Sequence, residues 1–200
     1  MPSTPLKLYL AGPEVFLPDA RAVLDAKAAL TRTYGFEPIC PGDLTIPPAP
    51  TKHQFGLNIS EIDESFMNRA DGIIANLTPF RGIAADPGTV FELGYMCGAG
   101  KIVGCYTNVA ESHYQRTLAW YGGALSRDAE GRMRGPDGHS LEDFDMIENL
   151  MLHGGVVRRG GPVMVHAADP DKLFTDLTAF EQCLKALAER VRIQVLGPTC

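Results

Sequence analysis

Short apolar runs closed by turn residues alternate, along the first half of this chain, with longer stretches whose apolar positions recur every three or four residues. "LKLYLAG", Leu6 to Gly12, is an apolar run stopped by Gly-Pro and reads as a first strand. "DARAVLDAKAALTRTYG" reads as a helix ending at Gly35. "FEPIC" reads as a second strand, and residues 41–54, with four prolines, as a loop. "LNISEIDESFMNRA" puts apolar side chains at 57, 59, 62, 66 and 67, the spacing of a helix. "DGIIANL", Asp71 to Leu77, is a buried strand, followed by the loop "PFRGIAADPG". Asp86 caps a predicted helix over 87–99 with Pro87 at its first position, and "KIVGCYT" is the next strand. Such alternation predicts a mostly parallel sheet with helices on both faces.

The second half is less regular. Residues 122–139 are rich in glycine and charge and read as a mobile loop or insertion. In "SLEDFDMIENLML", Ser140 and Asp143 have the spacing of a capping box, with Asp where Glu or Gln is usual. A last helix near 170–191 is capped by Asp169 and started by Pro170. Leu173, Leu177, Phe180, Leu184, Leu187 and Val191 form its apolar stripe. There is no internal repeat, and 200 residues suit a single domain carrying the 122–139 insertion.

Composition narrows the function classes. With 45% hydrophobic and 21% charged residues, disorder is not expected. A net charge of −6 without a Lys/Arg block argues against a nucleic acid polymer and for a small, weakly charged substrate. The cysteines, at 40, 97, 105, 183 and 200, are odd in number and lack CxxC, so neither a disulfide framework nor a zinc site is expected. Cys200, at the terminus, is expected to be exposed and oxidisable. The amino terminus lacks the pattern of a signal peptide and no apolar run suits a bilayer, so a cytoplasmic protein without membrane contact is expected. Histidines 53, 113, 139, 153 and 166 lack metal-ligand spacing. "CGAGK" misses the first glycine and the final Ser/Thr of a phosphate loop, and "LAGPEVF" is not GxGxxG. No metal and no cofactor is expected.

Glu92, within "ADPGTVFELGYM", is the only acid between Asp86 and Glu111. On the early turns of a helix it is expected to be held as an anion by the dipole, beside a water-poor wall of Gly88, Phe91, Leu93 and Gly94. In a parallel sheet ligands bind beyond the carboxyl ends of strands, so Tyr9, Asp71, Asp86 and Glu92 are expected to share one crevice. Carboxylates crowded there have their pKa values pushed apart, which suits one as a nucleophile and another as a proton carrier. That is the scheme of retaining glycosyl transfer. Each residue alone has a plainer reading: a solvated Glu92, an N-cap at Asp86, a strand opener at Asp71, core positions for Tyr9 and Phe16, a cap at Asn149. Arg81 is expected either to bind an anion or, the favoured reading, to pair with an acid.

"LYLAGPEVF", "ADGIIANLTPFRG", "ADPGTVFELGYM" and "EDFDMIENLML", in that order over about residues 6 to 152, together resemble the nucleoside 2-deoxyribosyltransferases. The resemblance implies an α/β, flavodoxin-like, doubly wound and mostly parallel five-stranded sheet. It also implies transfer of 2-deoxyribose between nucleobases through a deoxyribosyl–glutamate, without a cofactor. Position by position, Glu92 matches the nucleophile, and Asp71 and Asp86 the carboxylates that bind the base and shuttle its proton. Tyr9 matches the tyrosine bonded to the nucleophile. Phe16 matches the aromatic against which the base packs, and Gly12 and Gly88 line the substrate. Asn149 matches an asparagine that a neighbouring subunit gives to the sugar 5-hydroxyl, which implies a homo-oligomer acting on deoxynucleosides and free bases. Two other readings stand beside it: a hydrolase of 2-deoxynucleoside 5-phosphates, and a non-catalytic nucleoside-binding domain.

Overall fold

The computed structural model describes residues 4–43 and 45–196. Five parallel strands make one sheet: β1 (Lys7–Ala11), β2 (Glu37–Ile39), β3 (Gly72–Asn76), β4 (Ile102–Thr107) and, after a small hairpin of β5 (Ser126–Arg127) and β6 (Met133–Arg134), β7 (Val163–Val165). The order is β2-β1-β3-β4-β7, so the chain winds outward in both directions from the seam between β1 and β3. That seam is a topological switch point, where loops diverge and leave a crevice at the carboxyl ends. β7 had no strong signature because it is three residues long and sits at an edge.

The helices are α1 (Ala20–Thr33), α2 (Lys52–Arg69), α3 (Pro87–Gly98), α4 (His113–Trp120), α5 (Leu150–Val157) and α6 (Thr178–Leu196). Strand periodicity of two sorts the core between two faces. Leu8, Leu10, Ile74 and Tyr106 pack with Ala28 of α1 and with Phe180, Cys183, Leu184 and Leu187 of α6. Tyr9, Ala11, Ile73, Ala75, Val103 and Cys105 pack with Met67 of α2, Leu93 and Met96 of α3 and Val156 of α5. Burying each large side chain contributes roughly 1.5–3 kcal/mol. Among the described residues no helix is long and apolar enough to cross a membrane. Cys40, Cys105 and Cys183 are buried free thiols, and Cys200 lies outside the described residues.

Four boundaries differ from expectation. α2 begins at Lys52 because the Thr51 side chain accepts from the Gln54 amide, so the proline loop is shorter. Residues 122–139, expected as a mobile loop or insertion, carry structure of their own. They hold the β5–β6 hairpin, braced by Arg134 on Asp128 and by the Tyr121 hydroxyl on Asp137 at 2.5 Å. Ser140 caps nothing; Asn149 caps α5 through its own side-chain oxygen. Asp169 and Pro170 open only a short 3-10 turn, and the last helix starts at Thr178, where the Asp176 carboxylate takes the first free amide.

Candidate active site

The crevice begins with β1. Tyr9, fully buried at the middle of the strand, sends its ring to the α2–α3 face, where the hydroxyl donates to Glu92 Oε1 at 2.7 Å. Glu92 is the sixth residue of α3, beyond the free amides of the first turn. Burial pushes its carboxyl up to about 7; the Tyr9 bond pulls the other way, and the charges of Asp63, Asp86 and Glu14 add to the rise. The expected dipole-held anion is therefore corrected: at the second turn desolvation outweighs the helix end. The Tyr9 phenol is pushed well above its ordinary value by burial first, then by the charges of Glu92 and Asp63. It stays a donor at every physiological pH.

Asp63, on α2, completes this cluster and was not anticipated. Burial pushes its carboxyl up, with the Tyr9 hydroxyl opposing, and its Oδ1 is buried without a hydrogen-bond partner among the described residues. The signal was present in the sequence. Asp63 lies four residues after Ile59 and four before Met67, on the inward stripe of the helix.

Asp71 is not in the crevice. It precedes β3, at the amino end of the sheet, and its exposed carboxylate accepts the Lys7 amide at 2.8 Å. An acid introducing a parallel strand stands at the wrong end for ligands, so the expectation that Asp71 shares the site is corrected. Asp86 is where it was expected. It caps α3 with Oδ2, which accepts from the Thr89 amide at 3.0 Å and the Thr89 hydroxyl at 3.3 Å, and its charge reaches Glu92. Gly88 leaves this carboxylate room, since a Cβ there would stand a tight 3.0 Å from Asp86 Oδ2.

Under the crevice lies a buried ion pair. Glu14, in the 3-10 turn Pro13–Phe16 after β1, accepts on Oε1 from Lys27 Nζ at 2.7 Å, Asn76 Nδ2 at 3.0 Å and the Tyr106 hydroxyl at 3.0 Å. The Lys27 ammonium also stands 4.9 Å from the Phe180 ring centre. A Cβ on Gly12 would lie 1.9 Å from Glu14 Oε2, so glycine is needed there for this carboxylate. The pair fastens the turn that presents Phe16, an exposed residue that stacks on Phe80 at 5.4 Å.

A second knot holds the loop before α3. Buried Glu148 accepts on Oε2 from Arg116 Nη2 at 3.0 Å and the Ala85 amide at 3.1 Å, and on Oε1 from the Asn149 amide at 3.0 Å. Arg116 also reaches the carbonyls of Ile83, Glu111 and Ile147. Asn149 Nδ2 donates to Glu142 at 2.7 Å, and none of its bonds goes to Tyr9, Asp63 or Glu92. Arg81 corrects a further expectation. Its guanidinium has no acidic partner among the described residues and packs instead against Phe16 and Phe80.

A half-buried, phenol-bonded glutamate with a raised pKa, beside further carboxyls at the switch point of a doubly wound sheet, is a candidate enzymatic site. The sequence model of the nucleoside 2-deoxyribosyltransferases matches residues 8–151, and the chain belongs to that family. It is an enzyme of the deoxyribosyltransferase type. A solved 2-deoxyribosyltransferase from Leishmania mexicana is 30% identical, with a TM-score of 0.63, over 92% of this chain and 98% of that one. An uncharacterised protein of Schizosaccharomyces pombe is 30% identical over 94% of this chain and 90% of its own length. A conserved protein from Enterococcus faecalis, 17% identical with a TM-score of 0.56 over 92% of this chain and 99% of that one, shares the fold.

Proposed function

We propose that this enzyme moves 2-deoxyribose from one nucleobase to another through a covalent deoxyribosyl–Glu92 intermediate. Tyr9 holds Oε1 of Glu92, which leaves Oε2 to attack C1 of the sugar. The C1–N bond breaks, its electron pair goes to the base, and Asp63 supplies the proton that neutralises the leaving nitrogen. Asp86 uses Oδ1, the oxygen that does not cap α3, to accept a hydrogen bond from the base. In the second half, the incoming base attacks C1 from the same face, Asp63 takes its proton, and Glu92 departs as a carboxylate. The missing 2-hydroxyl helps, because an electronegative group there destabilises an oxocarbenium-like transition state. Asp63 thus takes the role that sequence reading gave to Asp71.

The observation that carries this reading is the Tyr9–Glu92 bond on a glutamate held near pH 7. Asn149 would serve a neighbouring subunit. It lies at the start of α5, whose Leu150, Met151 and Val157 are exposed, as is Phe91 on α3. Such apolar faces favour a second copy as partner.

The test is incubation with deoxyinosine and free adenine, with products separated by chromatography, and acid-quenched enzyme digested for mass spectrometry. Deoxyadenosine, together with one deoxyribosyl group on the Glu92 peptide, is expected, and both vanish in Glu92→Ala. Hypoxanthine released without deoxyadenosine would make the enzyme a hydrolase, and full activity of Glu92→Ala would sink the assignment.

A further inference from the structure

The loop between β3 and α3 has to be held in place from outside. Residues 77–86 form no helix or strand, and the one backbone bond within them among the described residues joins the Phe80 amide to the Ala84 carbonyl at 3.0 Å. Two of their peptide groups are met by side chains instead. Arg116 Nε donates to the Ile83 carbonyl at 2.8 Å, and Glu148 Oε2 accepts the Ala85 amide at 3.1 Å. A carbonyl and an amide two residues apart are the pair that a single residue of a parallel neighbour strand would take. Arg116 and Glu148, themselves joined at 3.0 Å, fill that place with an ion pair.

Neither side chain is free to drift. Arg116 lies on the first turn of α4, whose start is locked by reciprocal bonds between Ser112 and Gln115. Its remaining bonds go to the carbonyls of Glu111 and Ile147. Glu148 directly precedes Asn149, the cap of α5, and accepts that residue's amide as well. Both side chains are buried, so breaking the pair leaves a charge without water to receive it. The residue after Ala85 is Asp86, which caps α3 and whose charge bears on Glu92 of the same helix. The ion pair thus ends one peptide bond from the site.

We propose that Arg116 and Glu148 are positioning residues of the active site: standing in for a neighbouring strand, they fix Asp86, and with it the start of α3, against Glu92. The inference rests on the reading of Glu92 as the reacting carboxylate, but its test needs no turnover. Protein carrying glutamate isotopically labelled at the side-chain carboxyl is titrated by difference infrared spectroscopy, and the Glu92 band is identified by its absence from Glu92→Gln. Asp86→Asn is the reference, since it removes a like charge and lowers the Glu92 midpoint from about 7. Tyr9, Asp63 and Glu14, the other groups that act on Glu92, are left in place. Arg116→Lys keeps the charge and loses the fork, so a shift that it causes is one of position. Arg116→Lys and Glu148→Gln are each expected to lower the midpoint by about half a pH unit, and to add nothing in the Asp86→Asn background. An unmoved midpoint in folded Arg116→Lys overturns the inference, even where urea denaturation shows lost stability, because a knot that only stabilises the fold does the same. So does a shift that persists in full beside Asp86→Asn. Should Glu148→Gln fail to fold, Arg116→Lys decides alone. Transfer from deoxyinosine to adenine is assayed alongside. Transfer with an unmoved midpoint sinks the positioning role alone, whereas the shift without transfer sinks the transferase reading alone.

Discussion

Glu148 is a buried carboxylate and Glu92 a half-buried one, and their surroundings could hardly differ more. Glu148 is given a guanidinium and two backbone amides, with His113 Nδ1 a further 3.1 Å away. Burial pushes its pKa up, but the His113, Asn149 and Arg116 contacts outweigh that and hold it below the ordinary range. Glu92 is given one phenol and three like charges, and is pushed up to about 7. The same functional group is thus a fastener where a guanidinium and two amides hold it, and a candidate reagent where a single phenol leaves it starved of donors.

The sharpest way to break that contrast is Glu92→Gln. Transfer is expected to fall by about a thousandfold or more in steady-state assays, since an amide cannot form the glycosyl ester. The fold should gain instead. Between its ordinary value of 4.5 and about 7, the native state keeps a proton on Glu92 that the unfolded chain has lost, so stability falls as pH rises through this window. Glu92→Gln should therefore melt higher than wild type at pH 8 and equally at pH 4, a gain of about 1–3 kcal/mol. Equal melting at pH 8 would mean that Glu92 is not starved. Arg116→Met is the mirror experiment. It leaves Glu148 with an uncompensated buried charge, and urea titration should show a loss of about 3–5 kcal/mol.

A smaller effect separates the two aspartates. Asp63→Asn should lower transfer about a hundredfold, whereas Asp71→Asn should stay within a factor of about three in the same assay. The reverse order would return Asp71 to the site. Smallest is a shift in pH dependence. On the acid side of about pH 7, kcat/KM should rise as Glu92 ionises and then level off. Tyr9→Phe removes the bond that favours the anion, so the limb should move to higher pH, and a limb unmoved by that change would deny Tyr9 its part.

Tyr9, Asp86 and Glu92 were legible in the sequence because each sits in a short motif with a local reason for its place: a buried strand, a helix cap, the second turn of the helix so capped. Four strands of the sheet were legible for the same reason, from runs closed by turn residues and helices opened by caps; the fifth came only with the family resemblance, since β7 is three residues at an edge. Asp63 and Asp71 were confused because the distinction is not local. Both precede β3 in the chain, but only the three-dimensional direction of α2 brings Asp63 back to the carboxyl end, while Asp71 stays at the amino end. The last helix was placed eight residues early because Asp169-Pro170 is a genuine start signal that the chain spends on a single 3-10 turn. The Arg116–Glu148 knot left no trace in periodicity, since its partners are backbone groups from three separate segments.

The pairing of Glu14 with Lys27 has a consequence for descent. Loss of either member alone strands a charge with no water to receive it, a change few lineages would survive. Replacing both together with apolar side chains of like volume removes the charges at once and is open to selection. The two positions, thirteen residues apart in the chain, are therefore inherited as a single character. Among descendants of this sequence they should be found both charged or both neutral, with the intermediate genotypes missing from the record.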